Sequence, residues 1–495
     1  MRALEILCLA AGACALFAAR RFRPPVPRPP VWAGPLLLGL VGLHLAVDGP
    51  RWQMGPGYLA GVGTAVFLGW PGVMFRGPWL EIGCGLLIAA STVLGWALPV
   101  FDLPTPTGPY PVGTTTRYLT DGSRTEPRGD RPGEPRPVVV QFWYPGSRSE
   151  KGVPYRMRSE TTWVDAHLPL VRTHAADSTP VHTAAGRCPV VVYSPSWPGR
   201  RGQNTVQFEE LASRGFIVAA VDHPFGSQQV ALPGGRVART TLGGFLSGDT
   251  VAEVRNSLRQ VESEVAVRVA DIRFVLDELE RLDGNDPAGL FTGRLDIGRA
   301  GALGYSFGGA VAAEASSQDS RLKAVVNLDG MLFGRAAAGG IACPYLLVTG
   351  SLPEPAAGGP PVAPAATADE ERDRILAADT AAEWRTLTTH GGSLLTVRGA
   401  VHLSLSAGAF HTPLRRGCGP LAAVPPSRVM RLLNDFTADF FSSTLVPSGP
   451  GPAAGPAVYP EAQLRTWPRP VAGPKPAGPA LLSTPDPVDK PNGRP

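Results

Sequence analysis

The sequence has little of what metal sites and nucleic-acid surfaces are made from. Its six cysteines include no CxxC pair and no cluster with histidine, which argues against a structural zinc ion. One disulfide is left open for the three cysteines outside the apolar N-terminal region, Cys188, Cys343 and Cys418. The formal net charge is only +5, and no basic tract is interleaved with aromatic residues. A nucleic-acid partner is therefore not expected.

Charged residues are also scarce, at 18% of the chain, which indicates membrane segments rather than a fully soluble protein. Four apolar stretches follow one another near the N-terminus: Leu4–Ala19, Trp32–Val47, Tyr58–Phe75 and Ile82–Phe101. A helix needs about 20 residues to cross the hydrocarbon core of a bilayer, so the last two are long enough and the first two are short. We predict that residues 1–103 form a membrane region with three or four transmembrane helices.

The first stretch has an alternative interpretation as a signal peptide. It begins after Arg2, has an apolar core and ends in small residues before Arg20. Three further apolar stretches directly behind it favour the membrane region.

Basic residues in the short loops predict the orientation of this region. The loop between the first and second stretches is the richest in arginine, whereas the next two loops carry only Arg51 and Arg76. Its four arginines are Arg20, Arg21, Arg23 and Arg28. With this loop inside the cell, the N-terminus lies outside, and after four crossings the remaining chain emerges outside the cytoplasm. The sequence thus predicts a multi-pass protein of the cell membrane.

From about residue 105 the pattern changes to alternating strands and helices, which indicates a mainly parallel sheet covered by helices on both faces. The predicted strands are Pro137–Tyr144, Cys188–Ser194, Phe216–Val221, Ala300–Gly304, Leu322–Leu328, Pro344–Thr349 and Ser393–Val397. The predicted helices are Phe208–Arg214, Val251–Leu282 and Gly308–Ser317. We assign residues 105–445 to one catalytic domain, with a lid region at about 224–262.

Two segments lack any core pattern. Residues 446–495 are rich in Pro, Gly and Ala and are predicted to be a disordered tail, and residues 352–369 a loose surface loop.

One motif carries a specific chemistry. Gly304-Tyr305-Ser306-Phe307-Gly308 fits G-x-S-x-G, with a predicted strand before it and a helix of small residues after it. This is the setting of the sharp turn that exposes the nucleophilic serine in the α/β-hydrolase fold. The sequence therefore predicts that fold, with Ser306 as nucleophile.

A serine hydroxyl needs a base and an acid, and in this fold both follow the serine in the order acid, then histidine. His402 follows a predicted strand by a short link and is favoured over His390 and His411. For the acid, Asp329 ends the strand KAVVNLD and is favoured over Glu354, which lies in a Pro-rich loop.

The oxyanion hole of such an enzyme requires two backbone N–H groups. One is expected from Phe307, directly after the nucleophile. The other is expected from the loop Pro195-Ser196-Trp197-Pro198, in which the prolines cannot donate. Trp197 is preferred to Ser196.

These segments together resemble the secreted-type platelet-activating factor acetylhydrolases. The resemblance rests on GALGYSFGG, on the NLD that ends at Asp329, on TVRGAVHLSLS around His402, and on TGPYPVGTTT and QFWYPG upstream; it spans about residues 105–442. It implies a triad of Ser306, Asp329 and His402. It also implies hydrolysis of carboxylic esters, on phospholipids with short or oxidised acyl chains, without a metal or any other cofactor.

The chain departs from that family at two places. Pro195-Ser196 stands where His-Gly is usual, which puts the shape of the oxyanion hole in question, and Tyr305 replaces a more common histidine. An amidase, peptidase or thioesterase with the same triad, and a membrane-anchored binding module without turnover, are the alternatives. Acyl length, alcohol portion and oligomeric state are left open.

Overall fold

A computed structural model describes residues 2–21, 32–69, 78–129, 131, 133–147, 152–355, 364–414, 423–446 and 458–469. Its α-helices are α1 (Ala3–Arg21), α2 (Ala33–Val47), α3 (Gly55–Gly69), α4 (Pro78–Ala97), α5 (Thr205–Ser213), α6 (Val251–Gly284), α7 (Phe307–Gln318), α8 (Gly334–Gly339), α9 (Ala368–Arg385) and α10 (Pro426–Leu445). Its strands are β1 (Val112–Glu126), β2 (Glu134–Pro145), β3 (Ala175–Asp177), β4 (Cys188–Ser194), β5 (Ile217–Asp222), β6 (Gln229–Ala231), β7 (Val237–Arg239), β8 (Leu295–Tyr305), β9 (Leu322–Leu328), β10 (Tyr345–Thr349), β11 (Gly392–Val397) and β12 (Ala462–Trp467).

The four N-terminal helices pack on one another ahead of the sheet. By length and composition, one helical segment in the described part of the chain, Trp79–Ala97, could cross a membrane; Ala3–Ala18 and Ala33–Val47 are apolar but shorter. The third predicted stretch forms α3 only as far as Gly69, and residues 70–77 lie outside the described residues. One candidate membrane helix is thus found where three or four were predicted.

The large sheet has ten strands in the order β12-β11-β10-β9-β8-β4-β5-β2-β1-β3. The six strands from β11 to β5 are parallel, while β2, β1 and β12 add antiparallel pairings at the two sides. The central strands are runs of buried residues, as parallel strands covered on both faces require. Every strand predicted from the sequence belongs to this sheet.

Two hydrophobic layers cover the sheet. One contains residues of α6, α7, α8 and α9, and the other contains residues of α5 and α10. Helix α6 begins at Val251 because the Thr250 side chain and Glu253 form a reciprocal capping box. The α/β-hydrolase fold predicted from the sequence is confirmed, with helices preceding it.

One prediction, the disorder of the whole segment 446–495, is contradicted by a strand. Strand β12 lies within the segment predicted to be a disordered tail; it pairs antiparallel with β11, and Trp467 packs on Trp384 with 5.7 Å between ring centroids. The lid region at 224–262 contains the β6–β7 pair and the first turns of α6. Cys188 and Cys343 are free thiols, and Cys418 lies outside the described residues.

Candidate active site

Ser306 occupies a sharp turn between β8 and α7. Its backbone has φ 56° and ψ −127°, a conformation that costs energy for a residue with a side chain and that is typical of a strained nucleophile turn. The Ser306 N–H donates to the Leu328 carbonyl at 2.7 Å, so the turn is attached to the end of β9. The serine hydroxyl is thereby held above the carboxyl edge of the sheet.

The two glycines of the motif allow the backbone to pack at this turn. A Cβ on Gly304 would lie 1.9 Å from the Gly308 carbonyl oxygen, and a Cβ on Gly308 would lie 1.9 Å from the Ser194 carbonyl oxygen. Neither overlap could be relieved by a side-chain movement, because backbone atoms meet there. The glycines therefore bring the start of α7 against the end of β4.

Hydrogen bonds join the three residues predicted as a triad, with His402 between the other two. His402 Nε2 lies 2.9 Å from Ser306 Oγ, and His402 Nδ1 lies 2.6 Å from Asp329 Oδ2. Thr349 donates its hydroxyl proton to the other oxygen of the Asp329 carboxylate. Half of the His402 side chain is exposed, and Ser306 is partly exposed. The arrangement matches a base and its orienting acid.

The other candidates of the sequence lie elsewhere. The side chain of Glu354 is 80% exposed and is 4.0 Å from Arg465. His411 Nε2 lies 3.2 Å from the Tyr155 hydroxyl. His390 ends the turn before β11 and faces Gly340. Among the acids and histidines considered, only Asp329 and His402 approach Ser306.

Two residues that the sequence did not single out position the triad. The Tyr305 ring stacks on the His402 ring, 5.1 Å between centroids, and its hydroxyl donates to the His402 carbonyl at 2.9 Å. The Asn327 side chain accepts from the Gly330 N–H and donates to the Gly330 carbonyl, both at 2.8 Å, which fixes the turn that carries Asp329. Tyr305 was noted only as a departure from a family pattern, and its stacking partner could not be read from the sequence.

The predicted oxyanion donors lie on the two segments that Gly308 brings together. Phe307 is the first residue of α7, where a backbone N–H has no carbonyl partner one turn earlier in the helix. In the loop after β4, the Ser196 N–H donates to Gln203 Oε1 at 3.1 Å, which leaves Trp197 as the donor to consider. The Trp197 and Phe307 rings meet edge to face, 5.0 Å between centroids.

A cavity of about 560 Å³ opens beside this loop. Its lining includes Ser196, Trp197 and Leu403, the neighbour of His402. The lining also contains Leu98, which follows α4, and Val164, Leu168, Arg156, Asp165 and Arg200. Its size is that of a small-molecule site with mixed apolar and polar walls.

Two carboxyl groups lie behind Asp329, the partly buried Asp379 and the buried Glu383. Burial, with a smaller contribution from the Asp329 carboxylate, raises the pKa of Asp379 to about 7. Burial also raises the pKa of Glu383 well above its usual range, and the Tyr345 hydroxyl donates to this group at 2.9 Å. Both groups therefore hold their proton more strongly than an exposed carboxyl group does.

Comparison with known proteins agrees with this fold and with the resemblance. Residues 99–240 match the family model described as platelet-activating factor acetylhydrolase, isoform II. The matched residues include the loop after β4 but end before Ser306. The chain is similar to a probable 1-alkyl-2-acetylglycerophosphocholine esterase of Arthroderma benhamiae, 27% identical over 48% of this chain and 60% of the relative. It is also similar to a platelet-activating factor acetylhydrolase of Cavia porcellus, 25% identical over 47% of this chain and 56% of the relative.

The chain thus spans somewhat more than half the length of these relatives. Among solved structures, a ferulic acid esterase from Streptomyces cinnamoneus is similar, with a TM-score of 0.56 and 27% identity. That likeness covers 74% of this chain and 99% of the esterase. The chain has the α/β-hydrolase fold and is similar to platelet-activating factor acetylhydrolases and to esterases, in agreement with the resemblance found in its sequence.

Proposed function

We propose that the chain is a serine-dependent carboxylic ester hydrolase that forms an acyl-enzyme on Ser306. The observation that carries the proposal is the hydrogen-bonded series Ser306, His402 and Asp329 above the carboxyl edge of the sheet. The names of the similar proteins, an acetylhydrolase and two esterases, support the same reaction class.

The geometry supports a two-step mechanism. Ser306 Oγ attacks the ester carbonyl while His402 Nε2 accepts its proton, and Asp329 stabilises the imidazolium through Nδ1–H. The backbone N–H groups of Phe307 and Trp197 would hold the negative charge on the tetrahedral oxygen. His402 then protonates the leaving alcohol, and a water molecule, activated by the same histidine, releases the acid from Ser306.

The surroundings of the serine support a lipid-like or short-acyl ester as substrate. Phe307 contacts Trp197, Phe245 and Phe333 in a cluster of aromatic rings beside the nucleophile. An apolar cluster of this kind accommodates an acyl chain better than a charged group. A phospholipid ester, such as the substrate named for the Arthroderma relative, fits the cluster together with the adjoining mixed cavity.

The proposal includes a membrane anchor and an extracytoplasmic catalytic domain. Outward-facing residues of the N-terminal helices are large and apolar, as lipid contact requires: Leu36, Leu43, Leu59, Val62, Leu86 and Val93. Arg2, before α1, contacts Asp48 after α2 and the Leu170 carbonyl of the hydrolase part. The N-terminus and the catalytic domain would therefore lie on the same side of the bilayer, as four crossings require. The remaining predicted boundaries, 1–103 and 105–445, are kept in this proposal.

Replacing Ser306 by alanine tests the nucleophile. We expect Ser306→Ala to lower kcat/KM for p-nitrophenyl butyrate by about three orders of magnitude or more, because the acyl-enzyme cannot form. A fluorophosphonate probe should label the wild type at Ser306 and leave the variant unlabelled. Ser316→Ala, on helix α7 that follows Ser306, is the matched control and should behave as wild type. Folded wild type that neither reacts nor hydrolyses esters would favour the binding module, and faster cleavage of matched amides would favour an amidase.

The raised pKa of Asp379 predicts a change of stability with pH. Between about pH 4 and pH 7 the folded state binds this proton and the unfolded state loses it, so stability falls as pH rises through the interval. Asp379→Asn cannot ionise, and its amide oxygen can still accept from the Leu332 N–H. We expect the Tm of this variant to be higher than that of the wild type at pH 8 but not at pH 4.5. Asp373→Asn, an exposed site on α9, is the control; an equal Tm difference at both pH values would contradict the assignment.

Membrane attachment and orientation are tested with the full chain in cells. We expect the protein to stay with the membrane fraction during carbonate extraction at high pH, because its apolar helices are held by lipid. Protease added to intact cells should cut the catalytic domain while a cytoplasmic marker survives. Release into the soluble fraction, or protection until the cells are opened, would refute the anchor or the orientation respectively.

A further inference from the structure

Arg268 of α6 lies beneath the loop that carries Trp197. Its Nη1 donates to the Pro195 carbonyl at 2.9 Å and to the Ser196 carbonyl at 3.1 Å, and its Nη2 donates to the Gly226 carbonyl at 3.0 Å. The side chain is fully buried. One guanidinium group thus holds two consecutive carbonyls of this loop.

These contacts determine where the loop N–H groups point. In a trans peptide the C=O and the N–H of one unit point in opposite directions, and the Ser196–Trp197 bond is not among the cis bonds. The Ser196 carbonyl accepts from Arg268 and also from the Gly199 N–H at 2.5 Å, and because it faces Arg268 the Trp197 N–H is directed away from α6. The preceding peptide unit behaves in the same way. Its carbonyl, that of Pro195, accepts from Arg268, and its N–H, that of Ser196, donates to the Gln203 side chain. No hydrogen bond from the Trp197 N–H to another described residue is present, so this donor can face a ligand.

The same guanidinium also contacts the other predicted donor. Its central carbon lies 4.8 Å from the centroid of the Phe307 ring, at cation–π distance. Glu264 accepts from Arg268 Nε at 3.0 Å and is shared with Arg128, so the buried charge is paired. Arg268 therefore joins the Trp197 loop and the start of α7 into one unit.

Ser194, directly before the loop, is fixed from the same side. Its hydroxyl lies 3.1 Å from His223 Nε2, and His223 Nδ1 lies 2.8 Å from Asp271 Oδ2. All three side chains are buried, and Asp271 is also bound by Arg136, so no substrate reaches them. This network supports the end of β4 as Arg268 supports the residues that follow.

We infer that Arg268 is a positioning residue of the oxyanion hole, which orients the Trp197 N–H through the Pro195 and Ser196 carbonyls and holds it against Phe307. The inference rests on the proposed ester hydrolysis at Ser306. Arg268, 72 residues further along the chain, thus adds to the hydrogen bonds that the loop already makes through Gly199 and Gln203.

Kinetics of Arg268 variants of the full chain separate this role from a merely structural one. Arg268→Met keeps much of the apolar volume but donates to neither carbonyl, so only the Gly199 N–H would still hold the Ser196 carbonyl and the direction of the Trp197 N–H should be less firmly fixed. We expect kcat for p-nitrophenyl butyrate to fall about 100-fold, as for loss of one oxyanion donor, with KM changed less than about threefold. Affinity for a trifluoromethyl ketone, which forms a tetrahedral adduct on the serine, should fall in parallel with kcat. Arg273→Met, an exposed position on α6, should leave both unchanged.

The conservative variant keeps the test decisive if Arg268→Met folds poorly. Arg268→Lys retains the charge and can reach one carbonyl, and we expect it to recover part of the lost kcat. Rates should be corrected for the fraction of serine labelled by the fluorophosphonate at completion. Corrected kcat and ketone affinity equal to wild type in either folded variant would overturn the inference. Absence of ester hydrolysis by the wild type itself would instead refute the proposed function.

Discussion

The first turn of α7 lies directly against the end of β4, and Gly308 makes that contact possible because any Cβ there would overlap the Ser194 carbonyl. The same turn is attached to β9 through the hydrogen bond from the Ser306 N–H to the Leu328 carbonyl. Three neighbouring strands, β4, β8 and β9, thus meet at one backbone junction. The nucleophile, the strand that ends at Asp329 and the loop of Trp197 take their relative positions from it.

Side chains from distant parts of the chain complete this junction. His402 lies in the loop after β11 and stacks on the Tyr305 ring, while Thr349 binds the Asp329 carboxylate and Asn327 binds the backbone of the next residue, Gly330. Each contact restricts one side chain or turn that would otherwise sample several conformations, which is how a site acquires its geometry before substrate binds. Arg268 restricts the loop of Trp197 in the same way, by binding the Pro195 and Ser196 carbonyls from α6.

The sequence predicted the sheet and the three residues that meet at its edge because these depend on local pattern. The segment Cys188–Ser194 is rich in valine, which is typical of a buried strand, and the glycines on either side of Ser306 are typical of a sharp turn. The order serine, acid, histidine follows from the fold. The roles of Tyr305 and Arg268 could not be predicted, since each depends on a partner far away in sequence. Strand β12 was missed because four of its six residues are exposed and only its pairing with β11 makes it a strand.

The pairing of β12 with β11 also determines which strand forms this edge of the sheet. Without β12, the N–H and C=O groups along one side of β11 would be open to solvent, next to strands that are almost wholly buried. An open edge of this kind is a template for strands of other molecules, and native proteins cover it. Strand β12 covers this side of β11 and becomes the edge strand itself, with Arg465 as a charged residue of the kind that native edge strands carry. A chain that ended after α10 would instead leave β11 as the open edge.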